Sequence, residues 1–126
     1  MNIIPIKTPL LKNGSDLVEI LMQNADFEDG DILSVSSKAV ATVEGAAIDL
    51  NKVQVSEDGK KWSDKCGKTP QFRQAVLNEV ERLNGKVLGD CPHAMLTQLK
   101  PDGFEDGIIL APNAGLDQSN IEDGYA

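Results

Sequence analysis

The alternation of apolar and polar positions divides the chain into short elements. Ile3, Ile4 and Ile6 within residues 2–7 predict a first strand. Pro5 marks it as a sheet edge, because proline has no backbone donor for an interior ladder. Asn13-Gly14 is a turn signal and Ser15 a helix N-cap, after which Leu17, Ile20 and Leu21 recur at helical spacing as far as Asn24. The acidic turn from Asp26 to Asp31 leads to Ile32, Leu33 and Val35, a second strand that ends at Ser36-Ser37-Lys38. Residues 39–43 are apolar and β-branched and fit either a strand or a short helix. Glu44-Gly45 interrupts them, and residues 46–50 predict a further short strand.

Residues 51–68 are rich in Lys, Asp and Gly and read as a polar surface segment carrying the single Trp. The clearest element follows. Thr69 is an N-cap, Pro70 takes the first helical position and Asn84-Gly85 closes the helix. Its apolar stripe is Phe72, Ala75, Val76, Val80 and Leu83. Val87-Leu88, Ala94 to Leu99 and Ile108 to Ala111 are strand-like, with Gly103 and Gly107 bracketing a hairpin-like loop. Strands alternating with only two main helices predict an α+β (mixed α/β) unit with a mixed or antiparallel sheet. Its 126 residues fit a single domain, 1–126. The chain stops at Ile121 to Ala126, directly after a loop dense in polar groups. A domain more often closes on a packed helix or strand, so the sequence reads as interrupted there.

Composition narrows the function classes. Aromatics make up 4% of residues, so aliphatic side chains must do most of the packing. Lys and Arg number 12 against 20 Asp and Glu, a net charge of −8. No basic stripe suited to nucleic acid or an anionic membrane is visible. A phosphorylated small molecule stays admissible, since backbone amides and a divalent metal can neutralise phosphates. The start MNIIPIKTPLL lacks the features of a signal peptide, and no stretch approaches the roughly 20 apolar residues that span a bilayer. A soluble, cytoplasmic protein is expected. Cys66 and Cys91 then read as reduced, packed thiols. Cys91-Pro92-His93 offers two soft ligands where a closed zinc site needs four.

Three segments could carry chemistry. Gly67-Lys68-Thr69 before a helix looks like the tail of a phosphate-binding loop, but Trp62 stands where the leading glycine would be and no strand precedes it. Asn113 to Asn120 (NAGLDQSN) follows a strand with small and polar residues. Asp117 suits one ligand of Mg²⁺ or Mn²⁺, whose shell phosphate oxygens and waters complete, and Asn120 could hydrogen-bond a ligand. The same composition also makes an Asx-rich turn, which composition alone favours. Ser36-Ser37-Lys38 places a hydroxyl and an ammonium at a strand end, where ligands sit if the sheet is parallel. Taken alone, a solvated strand end with a surface lysine explains those residues better. His93, the single histidine, has no nucleophile pattern near it.

Taken together, these segments resemble the N-terminal half of the coenzyme F-420 gamma-glutamyl ligases. The resemblance runs through Thr8-Pro9-Leu10-Leu11, Gly14 to Leu17, Glu28 to Lys38, Glu44-Gly45 and the helix around Gln74 to Glu79, and is most specific at Asn113 to Asn120. It implies an enzyme that joins L-glutamate through a gamma linkage to the deazaflavin precursor F-420-0, using GTP and Mg²⁺ or Mn²⁺. It further implies that Asp117 binds metal, and that Thr8, Pro9, Leu10, Leu11, Ser37, Lys38 and Asn120 contact GTP. No catalytic residue is assigned. The resemblance also implies an intertwined homodimer.

Two positions depart from the pattern. Thr42 stands where the family has a phosphate-contacting lysine, and a threonine cannot supply that charge. Ala46 stands where an arginine commonly follows the Glu-Gly pair. The family is also roughly twice this length, a size of more than one domain, and its second metal-binding Asp-Thr segment lies beyond the matched half. A truncated, non-catalytic module that binds a nucleotide or metabolite on the same scaffold is the alternative.

Overall fold

The computed structural model describes residues 2–119 and 121–126. The chain divides into two compact units, Met1–Ala47 and Ile48–Ala126.

In the first unit, helix α1 (Leu17–Asn24) is capped by Asp16, whose carboxylate accepts from the Glu19 backbone N–H at 2.9 Å. The cap therefore falls one residue later than Ser15, whose hydroxyl instead accepts from the Lys12 N–H. Helix α2 spans Ser37–Val43, which settles 39–43 as helix and brings Ser37 and Lys38 into its first turn. The Gly14 N–H donates to Val43 O at 2.9 Å, tying the turn before α1 to the end of α2. The strands expected at 2–7 and 32–35 do not form a ladder. A strand needs a partner edge for its backbone groups, and Pro5 removes one donor besides. Their apolar side chains find little cover: Ile3, Ile4 and Ile32 are 83%, 80% and 93% exposed.

The second unit holds α3 (Glu57–Cys66) and α4 (Pro70–Arg82) beside a three-stranded sheet. Its strands β1 (Lys86–Cys91), β2 (Ala94–Leu99) and β3 (Ile109–Pro112) are antiparallel in the order β1-β2-β3. The α+β class is confirmed, with an antiparallel sheet and four α-helices among the described residues.

Helix α4 starts as its sequence requires. The Thr69 hydroxyl accepts from the Phe72 N–H and Pro70 fills the first position. Phe72, Ala75, Val76 and Val80 are buried as expected, and Leu83 packs at the margin. From β2 the alternate residues Met95, Thr97 and Leu99 face the same interior. Burying a Phe, Val, Met or Leu side chain in this way stabilises by about 1.5–3 kcal/mol. The other face of the sheet leaves Leu96 and Leu110 exposed.

Helix α3 is the element that the polar composition of 51–68 concealed. Its interior face is only Gly59, Trp62, Ser63 and Cys66, at helical spacing. Ser56 caps it, Glu57 and Asp58 complement the positive end of its dipole, and Gly67 ends it. Gly59 is the point of close approach to α4: a Cβ there would lie 2.8 Å from Gln74 Oε1. The short strand expected at 46–50 is reduced to an isolated bridge, Asp49 with Tyr125, followed by a 3₁₀ turn at Leu50–Lys52. Ile48 and Ala126 exchange backbone hydrogen bonds, and Ala126 is buried.

Candidate functional site

The residues singled out from sequence divide between the two units. Thr8, Pro9 and Leu10 are exposed in irregular backbone, and Leu11 is half-buried. Ser37 and Lys38 are exposed in the first turn of α2, so they belong to a helix start rather than a strand end. Thr42, one turn on, donates its hydroxyl to Lys38 O at 2.8 Å. Asp117 belongs to the second unit. Asn120 lies outside the described residues.

The loop beginning at Asn113 has the most defined geometry. Strand β3 ends at Pro112, and Asn113, Ala114 and Gly115 then adopt φ of 52°, 52° and 82°. Left-handed backbone is ordinary for glycine and tolerable for asparagine. For alanine it costs about 1–2 kcal/mol. The surrounding structure holds the turn in place. Asn113 Oδ1 accepts from Arg73 Nη1 at 2.8 Å and from the Met95 N–H at 3.0 Å. The Ala114 N–H donates to Thr97 Oγ1 at 3.1 Å, and that hydroxyl donates to Ala111 O at 2.6 Å. Ala114 is buried, and Leu116 packs against the core.

Beyond Leu116 the chain emerges with Asp117 exposed. Its Oδ1 accepts from the Ser119 N–H at 2.9 Å and its Oδ2 from the Ser119 hydroxyl at 2.7 Å. This is the Asx turn that composition suggested, and it fixes the orientation of the carboxylate. A hard oxygen donor of this kind fits Mg²⁺ or Mn²⁺, which take one or two carboxylates and leave the other positions to phosphates and water. Among the described residues, no group of three or more His, Cys, Asp or Glu gathers into a metal site. Asp117 offers one such oxygen ligand.

The other candidates resolve into structural parts. Lys68 lies in the bend before α4, and Thr69 is its cap, with no phosphate-binding loop. His93 turns the chain between β1 and β2 at φ 69°. Cys66 is buried and its thiol donates to Trp62 O at 3.1 Å. Arg73 and Thr97, which anchor the loop, were not apparent from the sequence. The one available signal was an arginine directly beside Phe72, on the flank of the apolar stripe of α4.

The family model described as F420-0:Gamma-glutamyl ligase matches residues 5–126. The chain is 37% identical over 125 residues to a coenzyme F420:L-glutamate ligase of Archaeoglobus fulgidus, covering 98% of the chain and 46% of that relative. Against proteins of the same name it is 34% identical over 117 residues in Methanosarcina barkeri, covering 93% and 42%. In Methanopyrus kandleri the figures are 30% over 115 residues, covering 91% and 42%. The chain thus spans less than half the length of these curated relatives. No helix among the described residues is long and apolar enough to cross a membrane.

Proposed function

The chain belongs to the F420-0:gamma-glutamyl ligase family, and from that membership we propose that it supplies the nucleotide- and metal-binding part of an enzyme that ligates L-glutamate to a deazaflavin precursor. The precursor is F-420-0 or a similar carboxylate acceptor, joined through a gamma linkage with GTP as co-substrate. The observation that carries the reading is the loop after β3, where a turn locked by buried groups presents the oriented carboxylate of Asp117 to solvent. Mg²⁺ or Mn²⁺ bound there would neutralise the phosphate charge of GTP.

The chain's own residues hold and orient the substrates. Asp117 supplies a hard oxygen ligand. Thr8, Pro9, Leu10 and Leu11 offer accessible backbone, and Ser37 and Lys38 a hydroxyl and an ammonium, for the nucleotide; these roles come from the family pattern, as does that of Asn120. Positioning of this kind supplies much of the rate in a reaction that brings an activated carboxylate to an amine. The reading includes a cytoplasmic homodimer.

Thr42 favours a second reading, a nucleotide- or metabolite-binding module without catalysis. Its hydroxyl is engaged with Lys38 O and carries no charge for a phosphate.

The test is titration of this chain with Mn²⁺ in the presence of GTP, followed by calorimetry and by the Mn²⁺ paramagnetic resonance signal. Asp117→Asn should weaken binding by about tenfold to a hundredfold, since even outer-shell changes at metal sites reach that range. Equal affinity in the two proteins removes Asp117 from the site. Metal-dependent binding without glutamate ligation supports the module.

A further inference from the structure

Arg73 is fully buried and carries a guanidinium charge. Removing that charge from water costs several kcal/mol, which buried ions ordinarily recover from a carboxylate partner. Arg73 has none: among the described residues no acidic side chain pairs with it. Its partners are neutral. Nε donates to Gly67 O at 2.7 Å, and Nη2 to Cys66 O at 2.7 Å and His93 O at 3.2 Å. Nη1 donates to the Asn113 carboxamide at 2.8 Å. One side chain therefore joins the α3–α4 turn, the β1–β2 turn and the start of the loop that presents Asp117. As core filling alone, an apolar residue of similar volume would serve as well or better.

The loop is what needs this grip. Of the consecutive left-handed residues Asn113, Ala114 and Gly115, the alanine carries the strain, and such backbone persists only where its surroundings over-determine it. Arg73 and the Met95 amide fix the Asn113 carboxamide between them. With Asn113 held, the Ala114 N–H meets Thr97 Oγ1 and Leu116 seats against the core. The next residue is Asp117. Being buried, Arg73 cannot itself touch a ligand.

We propose that Arg73 is a positioning residue, gripping the Asn113 carboxamide to fix the left-handed turn from which Asp117 is presented. Only the use made of Asp117 rests on the function proposed above; the placement of the loop does not.

The experiment is amide hydrogen exchange by NMR on this chain. Rates at Ala114 and Met95 are compared with Val76 in the centre of α4, which reports global opening. Arg73→Met should speed exchange at Ala114 by about tenfold to a hundredfold relative to Val76, the worth of one or two hydrogen bonds to a charged group. Arg73→Lys should not rescue it, because an ammonium lacks the planar fork that reaches the separate acceptors. Asn113→Gly severs the link from the other end without emptying the core. Glycine suits the left-handed backbone, yet Ala114 should still exchange faster. Combining Asn113→Gly with Arg73→Met should add little to either alone.

Uniform acceleration at all amides, additive effects in the double variant, or an unchanged Ala114 rate in Asn113→Gly would each overturn the proposal. The last measurement decides even if Arg73→Met does not fold. Asp117→Asn should leave these rates unchanged, so loss of Mn²⁺ binding in that variant bears on the proposed function alone.

Discussion

Replacing Thr97 by valine separates hydrogen bonding from packing at the centre of the loop's support. Valine keeps the volume and β-branching of threonine, so strand preference and core contacts are nearly preserved. What disappears is a hydroxyl that donates to Ala111 O at 2.6 Å and accepts from the Ala114 N–H at 3.1 Å. Thr97 is 1% exposed, so water does not replace it. Leaving a buried polar group unpaired costs about 1–3 kcal/mol. With two backbone groups affected, Thr97→Val should lose about 2–4 kcal/mol of stability. Thr97→Ser keeps both hydrogen bonds and deletes one methyl, worth about 1 kcal/mol. Serine should therefore be the milder substitution.

Urea unfolding followed by fluorescence measures both. Trp62 is the chain's single tryptophan and packs against the core of the unit that contains Thr97. The midpoints should fall in the order wild type, Thr97→Ser, Thr97→Val, with a common slope. A serine variant less stable than the valine variant would refute the reasoning, because packing would then outweigh the hydroxyl.

Two further outcomes follow from the geometry. A Cβ at Gly85 would stand 2.4 Å from Gln98 O and 3.1 Å from Val80 O, both backbone atoms that cannot rotate away. Gly85→Ala should destabilise by about 1–3 kcal/mol, as overpacking does, and an unmoved urea midpoint would show that the α4–sheet approach is looser than this. The Lys52 ammonium, hydrogen-bonded to Asp49 at 3.0 Å, holds the Asp49 carboxyl below its ordinary 3.8, against a smaller opposing effect of burial. A folded value below the unfolded one means that its stabilisation is present above 3.8 and is lost as pH falls through the folded value. Lys52→Gln should return the Asp49 midpoint, followed by side-chain NMR, toward 3.8; no movement would assign the shift elsewhere.

Legibility in the sequence followed the range of the forces involved. Helix α4 was readable from its cap to its last turn, because Thr69, Pro70 and the apolar stripe act within a few residues of one another. Strand β2 was readable because Met95 and Leu99 share a face with Thr97. Helix α3 was not, since Gly59, Trp62, Ser63 and Cys66 give its face only one large apolar side chain to set against its lysines and aspartates. Segments 2–7 and 32–35 carry strand composition, but composition cannot supply the second edge that a ladder requires.

The candidate site divides in the same way. By itself the sequence determined the family resemblance, the α+β class and the Asx turn at Asp117, since each is written in residue types along the chain. Only the tertiary structure decided how that loop is held. Arg73 and Asn113 lie 40 residues apart, and Thr97 and Ala114 lie 17 apart. No local pattern records that a guanidinium on the flank of α4 and a hydroxyl in β2 converge on one turn. Their convergence follows from α4 packing on the sheet, which buries both groups and obliges them to find partners in the backbone that arrives beside them.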